Sequence, residues 1–247
     1  MTARTPRELG VGIIGAGWMG HVHARSFARL NHHYADLGVR PTVVAVADSV
    51  PGQLADFAER HGVETAYADW RDVIADPRVD VVSVTAPNFL HAEIGVAVAQ
   101  AGKHLWIEKP VGLTAADARA VADAVTSAGV VGCVGFNYRN FPAVTRAKGL
   151  IEAGAIGRPT HGRVSLLTDY AAHPAGPLSW RYEIAKGGHG VLGDLASHAI
   201  DLGRFLLGDL DRLVAVTRTF IPQRPLVDAG SSHYAVVDLE DPSITMG

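Results

Sequence analysis

The apolar positions of the first half of the chain come in short unbroken runs, and helical patterns separate them. Val11–Ile14 is one such run and meets a glycine turn. Residues from Trp18 to about Leu37 then have helical spacing, with Met19, Val22, Phe27 and Leu30 as apolar positions. Thr42–Ala47 is β-branched and apolar and stops at Asp48; Val79–Val84, Lys103–Ile107 and Val130–Val134 read as further strands. Between them, Gly52–His61 reads as a helix ended by Gly62, and Asp69–Ala75 as a short helix. Asn88 caps a helix to Ala101 with Gly102 as its stop, and Thr114 opens an alanine-rich helix to Ala128 stopped by Gly129. Strands alternating with helices predict an α/β fold, a doubly wound parallel sheet with helices on both faces. The unbroken apolar runs fit strands buried on both sides.

After about Phe136 the rhythm changes. A helix from about Phe141 to Ala153 is followed by an alternating run, His161–Thr168. A loop with Pro174 and Pro177 leads to a helix over Val191–Leu207 and strand-like runs at Leu213–Phe220 and His233–Leu239. This pattern predicts two domains: 1–135, the doubly wound sheet, and 136–247, α+β with an open mixed sheet. Residues 1–9 are polar and read as a loose arm. Near the end, Glu240-Asp241-Pro242 signals a turn and Ser243-Ile244-Thr245-Met246 begins a return strand. So few strands leave open edges, and the expectation is a sheet cut short.

Composition narrows the function. The chain has 247 residues, 48% of them hydrophobic and 19% charged, which suits a soluble protein with a sizeable core. A net charge of −3 without any basic run gives no reason to expect nucleic acid or an anionic membrane as partner. The single cysteine, Cys133, excludes an intrachain disulfide and a cysteine-based zinc site, and its apolar run reads as a buried position. No apolar stretch has transmembrane length and no signal-type run follows Met1, so the expected location is the cytoplasm.

Gly15-Ala16-Gly17-Trp18-Met19-Gly20 has a strand before it and a helix after it, the context in which Gly-x-Gly-x-x-Gly binds a dinucleotide. The glycines let pyrophosphate approach backbone N–H groups, and the helix N-terminus favours its charge. An acid ending the second strand should accept hydrogen bonds from the adenosine ribose. Asp48 does so; Asp36 is nearer the usual spacing but precedes the strand. A carboxylate there repels a 2′-phosphate, which favours NAD over NADP.

Glu108-Lys109-Pro110 closes a strand at the edge where open α/β sheets bind ligands. Asp194 and His198 are four apart and share a helix face, with Asp201 near it. An aspartate beside a histidine orients the ring and raises its basicity, which suits a general base; a capping Asp with a structural His is the alternative. Metal binding needs a third ligand, His189 is near only in sequence, and no metal is expected.

These three motifs in this order resemble the Gfo/Idh/MocA oxidoreductases. The segments Pro87–Glu93, Gly135–Arg139, Ser179–Tyr182 and Ile221–Leu226 are most similar to members acting on levoglucosan or inositol. The resemblance implies an NAD-dependent dehydrogenase that oxidises a ring hydroxyl of a sugar or cyclitol. Lys109 would contact the hydroxyl, His198 would take its proton, and Asp194 would bind the sugar and support the histidine. Gly15, Gly17, Trp18, Met19, Gly20 and Asp48 would hold the cofactor, with Thr85, Pro87, Asn88 and His91 along the nicotinamide ribose and Glu108 near it. Asn137, Tyr138, Arg139, Trp180 and Arg181 would line the sugar pocket. Family members are longer and associate as homo-oligomers through the C-terminal sheet. A dinucleotide-binding regulatory protein, or an inactive shortened homologue, is the rival reading.

Overall fold

The computed structural model describes residues 6–34, 36–227 and 234–237. The chain divides into two compact units, Met1–Gly135 and Phe136–Gly247. Among the described residues no helix is long and apolar enough to cross a membrane.

In the first unit, strands β1 (Arg7–Ile14), β2 (Val39–Ala47), β3 (Thr65–Tyr67), β4 (Val81–Val84), β5 (His104–Ile107) and β6 (Gly132–Val134) alternate with helices. The helices are α1 (Trp18–His33), α2 (Pro51–His61), α3 (Trp70–Ala75), α4 (Asn88–Gln100) and α5 (Ala115–Ala128). All strand pairs are parallel, in the order β3-β2-β1-β4-β5-β6. This is the doubly wound dinucleotide-binding topology. Its strand order reverses between β1 and β4, which opens a crevice at their carboxyl ends. The core lies on both faces of the sheet. Val82, Val84, Ile94, Val98, Ile107 and Val121 pack in one cluster, and Val11, Ile13, Phe27, Val46, Phe57 and Val63 in the other.

Local chemistry explains the helix ends. Thr114 and Asp117 close a capping box around the start of α5. Gly62 and Gly129 stop α2 and α5 with φ of 63° and 66°, a left-handed conformation that costs glycine little.

Several expectations are corrected. β1 begins at Arg7, so the polar arm is shorter than residues 1–9; the sheet recruits Arg7 and Glu8 through pairing with Val39 and Arg40. α1 ends at His33 rather than near Leu37. Asn31 donates to the Pro41 carbonyl at 3.1 Å and turns the chain toward β2. The buried face of α1 is Gly20, His23, Ala24 and the expected Phe27, with Leu30 packed against the core and Met19 and Val22 only partly buried. Asn88 is the first residue of α4, and Pro87 is its cap. Cys133 is exposed, because β6 is an edge strand paired only with β5. β3 was not expected; three residues are too few to show a period.

The second unit has α6 (Pro142–Glu152), α7 (Ile184–Gly187), α8 (Ser197–Leu207), and an antiparallel pair, β7 (Arg224–Val227) and β8 (Tyr234–Val237). A π-helical turn, Leu192–Ala196, replaces the first part of the helix expected from Val191. His161–Thr168 and Leu213–Phe220 form no strand. Alternation alone does not make one; a ladder partner is required, and Leu167, Val214 and Val216 are each at least 92% exposed. β7 was missed because Pro222 and Pro225 argue against a strand. The return strand expected after Pro242 lies outside the described residues.

The turn between α3 and β4 yields a test. Asp76, almost fully buried, accepts from Arg78 Nη2 at 2.6 Å and Nε at 3.0 Å and from the Arg78 backbone at 2.9 Å. The Arg78 side-chain bonds, the largest cause, hold its pKa at about 2, below the ordinary 3.8. A lowered carboxylate pKa adds stability that is complete above the unfolded value and lost as pH falls through the folded one. Asp76→Asn should therefore be less stable than the parent above about pH 4, and the two should converge toward pH 2. Denaturant titrations across that range would measure the gap; a constant gap would sink the assignment.

Candidate functional site

The first unit builds its site at the carboxyl edge of the sheet. Gly15 leaves β1 with φ of 103°, and a Cβ there would stand 2.7 Å from backbone atoms of Thr85 and Ala86. A Cβ on Gly20 would overlap the Gly15 carbonyl oxygen. The first turn of α1 thus packs directly on the glycine turn. Asp48 follows β2 and accepts from Ala16 N at 2.7 Å through one oxygen and from Val50 N at 2.8 Å through the other. Each carboxylate oxygen retains acceptor capacity for a ribose hydroxyl. Asp36 lies in the turn ahead of β2, away from this edge.

Helix α1 starts at Gly17 with no side-chain cap and no acid in its first turn, whereas α3 and α5 are capped by Asp69 and Thr114. A 16-residue helix that opens on glycine toward this edge suits an anionic group. Trp18, 76% exposed, and Met19 stand in its first turn. The residues therefore fit a dinucleotide.

Thr85, after β4, donates to the Gly15 carbonyl at 2.7 Å and braces the turn. Pro87 and Asn88 begin α4, and Asn88 is buried. His91 is 1% exposed, with Nδ1 2.6 Å from the Pro110 carbonyl oxygen and Nε2 2.7 Å from that of Ala86. Backbone carbonyls thus meet both ring nitrogens.

Lys109 is half-buried at the end of β5. Beside it, Glu108 is buried and joins a set that the sequence reading missed. Its Oε1 lies 3.1 Å from His23 Nε2, and His23 Nδ1 lies 2.7 Å from Ser83 Oγ. Glu108 Oε2 accepts from Lys109 N at 3.3 Å. Glu108 thus faces inward, toward α1. A Cβ on Gly135 would stand 2.5 Å from Glu108 Oε1, so the glycine makes room for the carboxylate. His23 sits three residues after Gly20, on the face that the glycine contact selects; that spacing was the available signal.

The second unit holds the other predicted residues. His198 is 7% exposed, stacked on Tyr138 with centroids 4.5 Å apart and met edge-on by Phe136 at 5.8 Å. The two aromatic rings fix its plane. Asp194, in the π-helical turn, accepts from Tyr170 Oη at 2.7 Å. Burial, followed by this bond, raises the Tyr170 pKa, so the phenol stays a donor. The π turn also changes the spacing on which the shared Asp194–His198 face was argued; such turns recur at functional sites. Arg139 pairs with Asp201, donating from Nε at 2.9 Å, and lies 5.2 Å from the Phe205 ring centroid. Arg181 lies over Trp180 at 4.4 Å. Asn137 begins the 3₁₀ turn that carries Tyr138 and Arg139. Lys109 belongs to the first unit, Asp194 and His198 to the second.

Residues 9–136 match the Gfo/Idh/MocA oxidoreductase family, NAD-binding Rossmann fold, and residues 144–245 match the Gfo/Idh/MocA C-terminal domain. Levoglucosan dehydrogenase of Pseudarthrobacter phenanthrenivorans is 40% identical over 97% of this chain, which spans 64% of that protein. Myo-inositol 2-dehydrogenase of Thermotoga maritima is 29% identical over 96% of the chain and 66% of its own length. A solved levoglucosan dehydrogenase in complex with NADH and levoglucosan superposes with a TM-score of 0.87 at 43% identity, covering 89% of this chain and 60% of that one.

Removing the Glu108 carboxylate tests the buried set. Glu108→Ala leaves His23 without its acceptor and should cost about 1–3 kcal/mol, while Glu108→Gln should recover part. Thermal unfolding reads both; equal losses would show that the acceptor contributes nothing.

Proposed function

The chain belongs to the Gfo/Idh/MocA oxidoreductase family, and from that premise we propose that it oxidises a ring hydroxyl of a sugar or cyclitol, of the levoglucosan or inositol kind, using NAD. The observation that carries this reading is the collection of the glycine turn, Asp48, Thr85 and Lys109 at one sheet edge. It sets a cradle for a dinucleotide beside an amine. NAD, when bound, supplies the hydride acceptor. Gly15, Gly17 and Gly20 with the α1 N-terminus would hold its phosphates, and Asp48 its adenosine ribose.

Lys109 would donate to the reacting hydroxyl and favour its alkoxide character. His198, its plane fixed by Tyr138 and Phe136, would take the hydroxyl proton as general base. Asp194, which accepts from Tyr170 Oη, would hold a neighbouring sugar hydroxyl. Asn137, Tyr138, Trp180 and Arg181 would supply the mixture of donors and aromatic faces that polyols require. Arg139 would act by holding Asp201 and α8 beneath this surface. Copies of the chain would associate through the second unit, a reading supported by its exposed Leu167, Val214, Val216 and Phe220, which lie outside the β7–β8 pair.

Levoglucosan, glucose and myo-inositol, followed by NADH absorbance, test the activity. Lys109→Ala and His198→Ala should each lower kcat by about 10²–10⁴-fold with little change in NADH affinity. Full activity in either variant would remove that residue from the mechanism. If the chain binds NADH yet turns over none of the polyols, the reading is wrong. Asp48→Ala should weaken NAD binding and relax discrimination against NADP, measured by titrating both cofactors; unchanged preference would show that another group reads the ribose.

A further inference from the structure

His91 occupies the first turn of α4, and its ring is sealed in protein. Its two nitrogens face carbonyls of different loops. Ala86, on the Nε2 side, lies in the turn between β4 and α4, which packs against Gly15. Pro110, on the Nδ1 side, directly follows Lys109 at the end of β5. β4 and β5 are neighbours in the sheet, so one ring spans the carboxyl ends of two adjacent strands. Both separations are within N–H···O range.

We propose that His91 is a positioning residue, which sets the cofactor-side turn at Ala86 and the Lys109–Pro110 turn relative to each other through hydrogen bonds to their carbonyls. Two features distinguish this from core packing. An apolar side chain would fill the same volume, but two part-buried carbonyls would then lose their partner, which is costly. The two contacts also lead to different functions: one loop braces the glycine turn, the other carries the amine.

The ring's chemistry fits a strut. Donation to both carbonyls at once requires the imidazolium. Burial works most strongly against that charge and lowers the pKa; the carbonyls of Pro110 and Ala86 and the Glu108 carboxylate oppose it, and the Lys109 ammonium adds to it. The neutral ring carries one proton and donates to one carbonyl at a time, one tautomer serving Pro110 and the other Ala86, so each contact is open to separate substitution.

The test uses amides that mimic one nitrogen each. In His91→Asn the amide nitrogen falls near the Nδ1 position and keeps the Pro110 contact. In His91→Gln it falls near Nε2 and keeps the Ala86 contact. NADH affinity, by fluorescence titration, should drop about tenfold in the Asn variant and stay near the parent in the Gln variant. The turnover arm rests on the dehydrogenase reading: kcat at saturating NAD should fall about tenfold in Gln and hold in Asn. Acylation of Lys109 by acetic anhydride, read by peptide mass spectrometry, reports the same side without turnover. Its rate should change at least threefold in Gln and not in Asn.

Absence of turnover in the parent chain would count against the dehydrogenase reading alone, leaving the binding and labelling arms to decide this one. The crossed pattern, one variant losing each side, supports the proposal. Parallel losses that track a lower melting temperature would show a purely structural histidine and overturn it. So would two variants that both match the parent, or any pattern other than the crossed one.

Discussion

Because Gly20 lies against the Gly15 carbonyl, α1 can begin only where the turn after β1 ends, and its first turn faces the carboxyl edge of the sheet. The rest of the site is braced from that contact. Asp48 holds Ala16 from the β2 side, and Thr85 holds Gly15 from the β4 side. His91 meets Ala86 and Pro110, which carries the bracing on to β5. The result is a chain of hydrogen bonds laid across four strand ends, made mostly with backbone groups. Groups fixed in this way need little reorganisation when a ligand arrives, which is the condition under which dipoles at a site act most strongly.

Beneath that edge the sheet contains polar groups that a purely apolar core would exclude. His23, Ser83 and Glu108 form one closed set. Burial makes each of these groups expensive if it is left alone, and a closed set removes most of the penalty. Glu108 ends up holding α1 to β5, and Lys109, next along the chain, is oriented by that anchorage.

The doubly wound sheet was readable because its strands are buried on both sides and its helices end on caps and glycines, as at Thr114, Gly62 and Gly129. The glycine turn, Asp48 and Lys109 were readable because their chemistry sits at strand ends. The face of α1 was readable in part: Phe27 and Leu30 pack where their spacing predicted, whereas the buried His23 beside the Gly20 contact is not marked by hydrophobicity. The role of His91 depends on two carbonyls distant in sequence, which no local pattern reveals. In the second unit the alternation at His161–Thr168 and Leu213–Phe220 was real, but pairing is a property of two segments. The π turn at Leu192–Ala196 likewise interrupts a segment where an uninterrupted helical period was expected.

Gly135 is the last residue of the first unit, and its backbone φ lies outside the left-handed region. Conformational freedom is therefore not why it is glycine; the carboxylate of Glu108 occupies the place where its side chain would be. The junction between the units is thus dictated from inside one of them. A recombination event that joined this first unit to a different second unit would have to carry the glycine with it, or else unseat an acid that holds α1 to β5. Modules that look freely exchangeable along the chain are bound at that one position by a requirement for empty space.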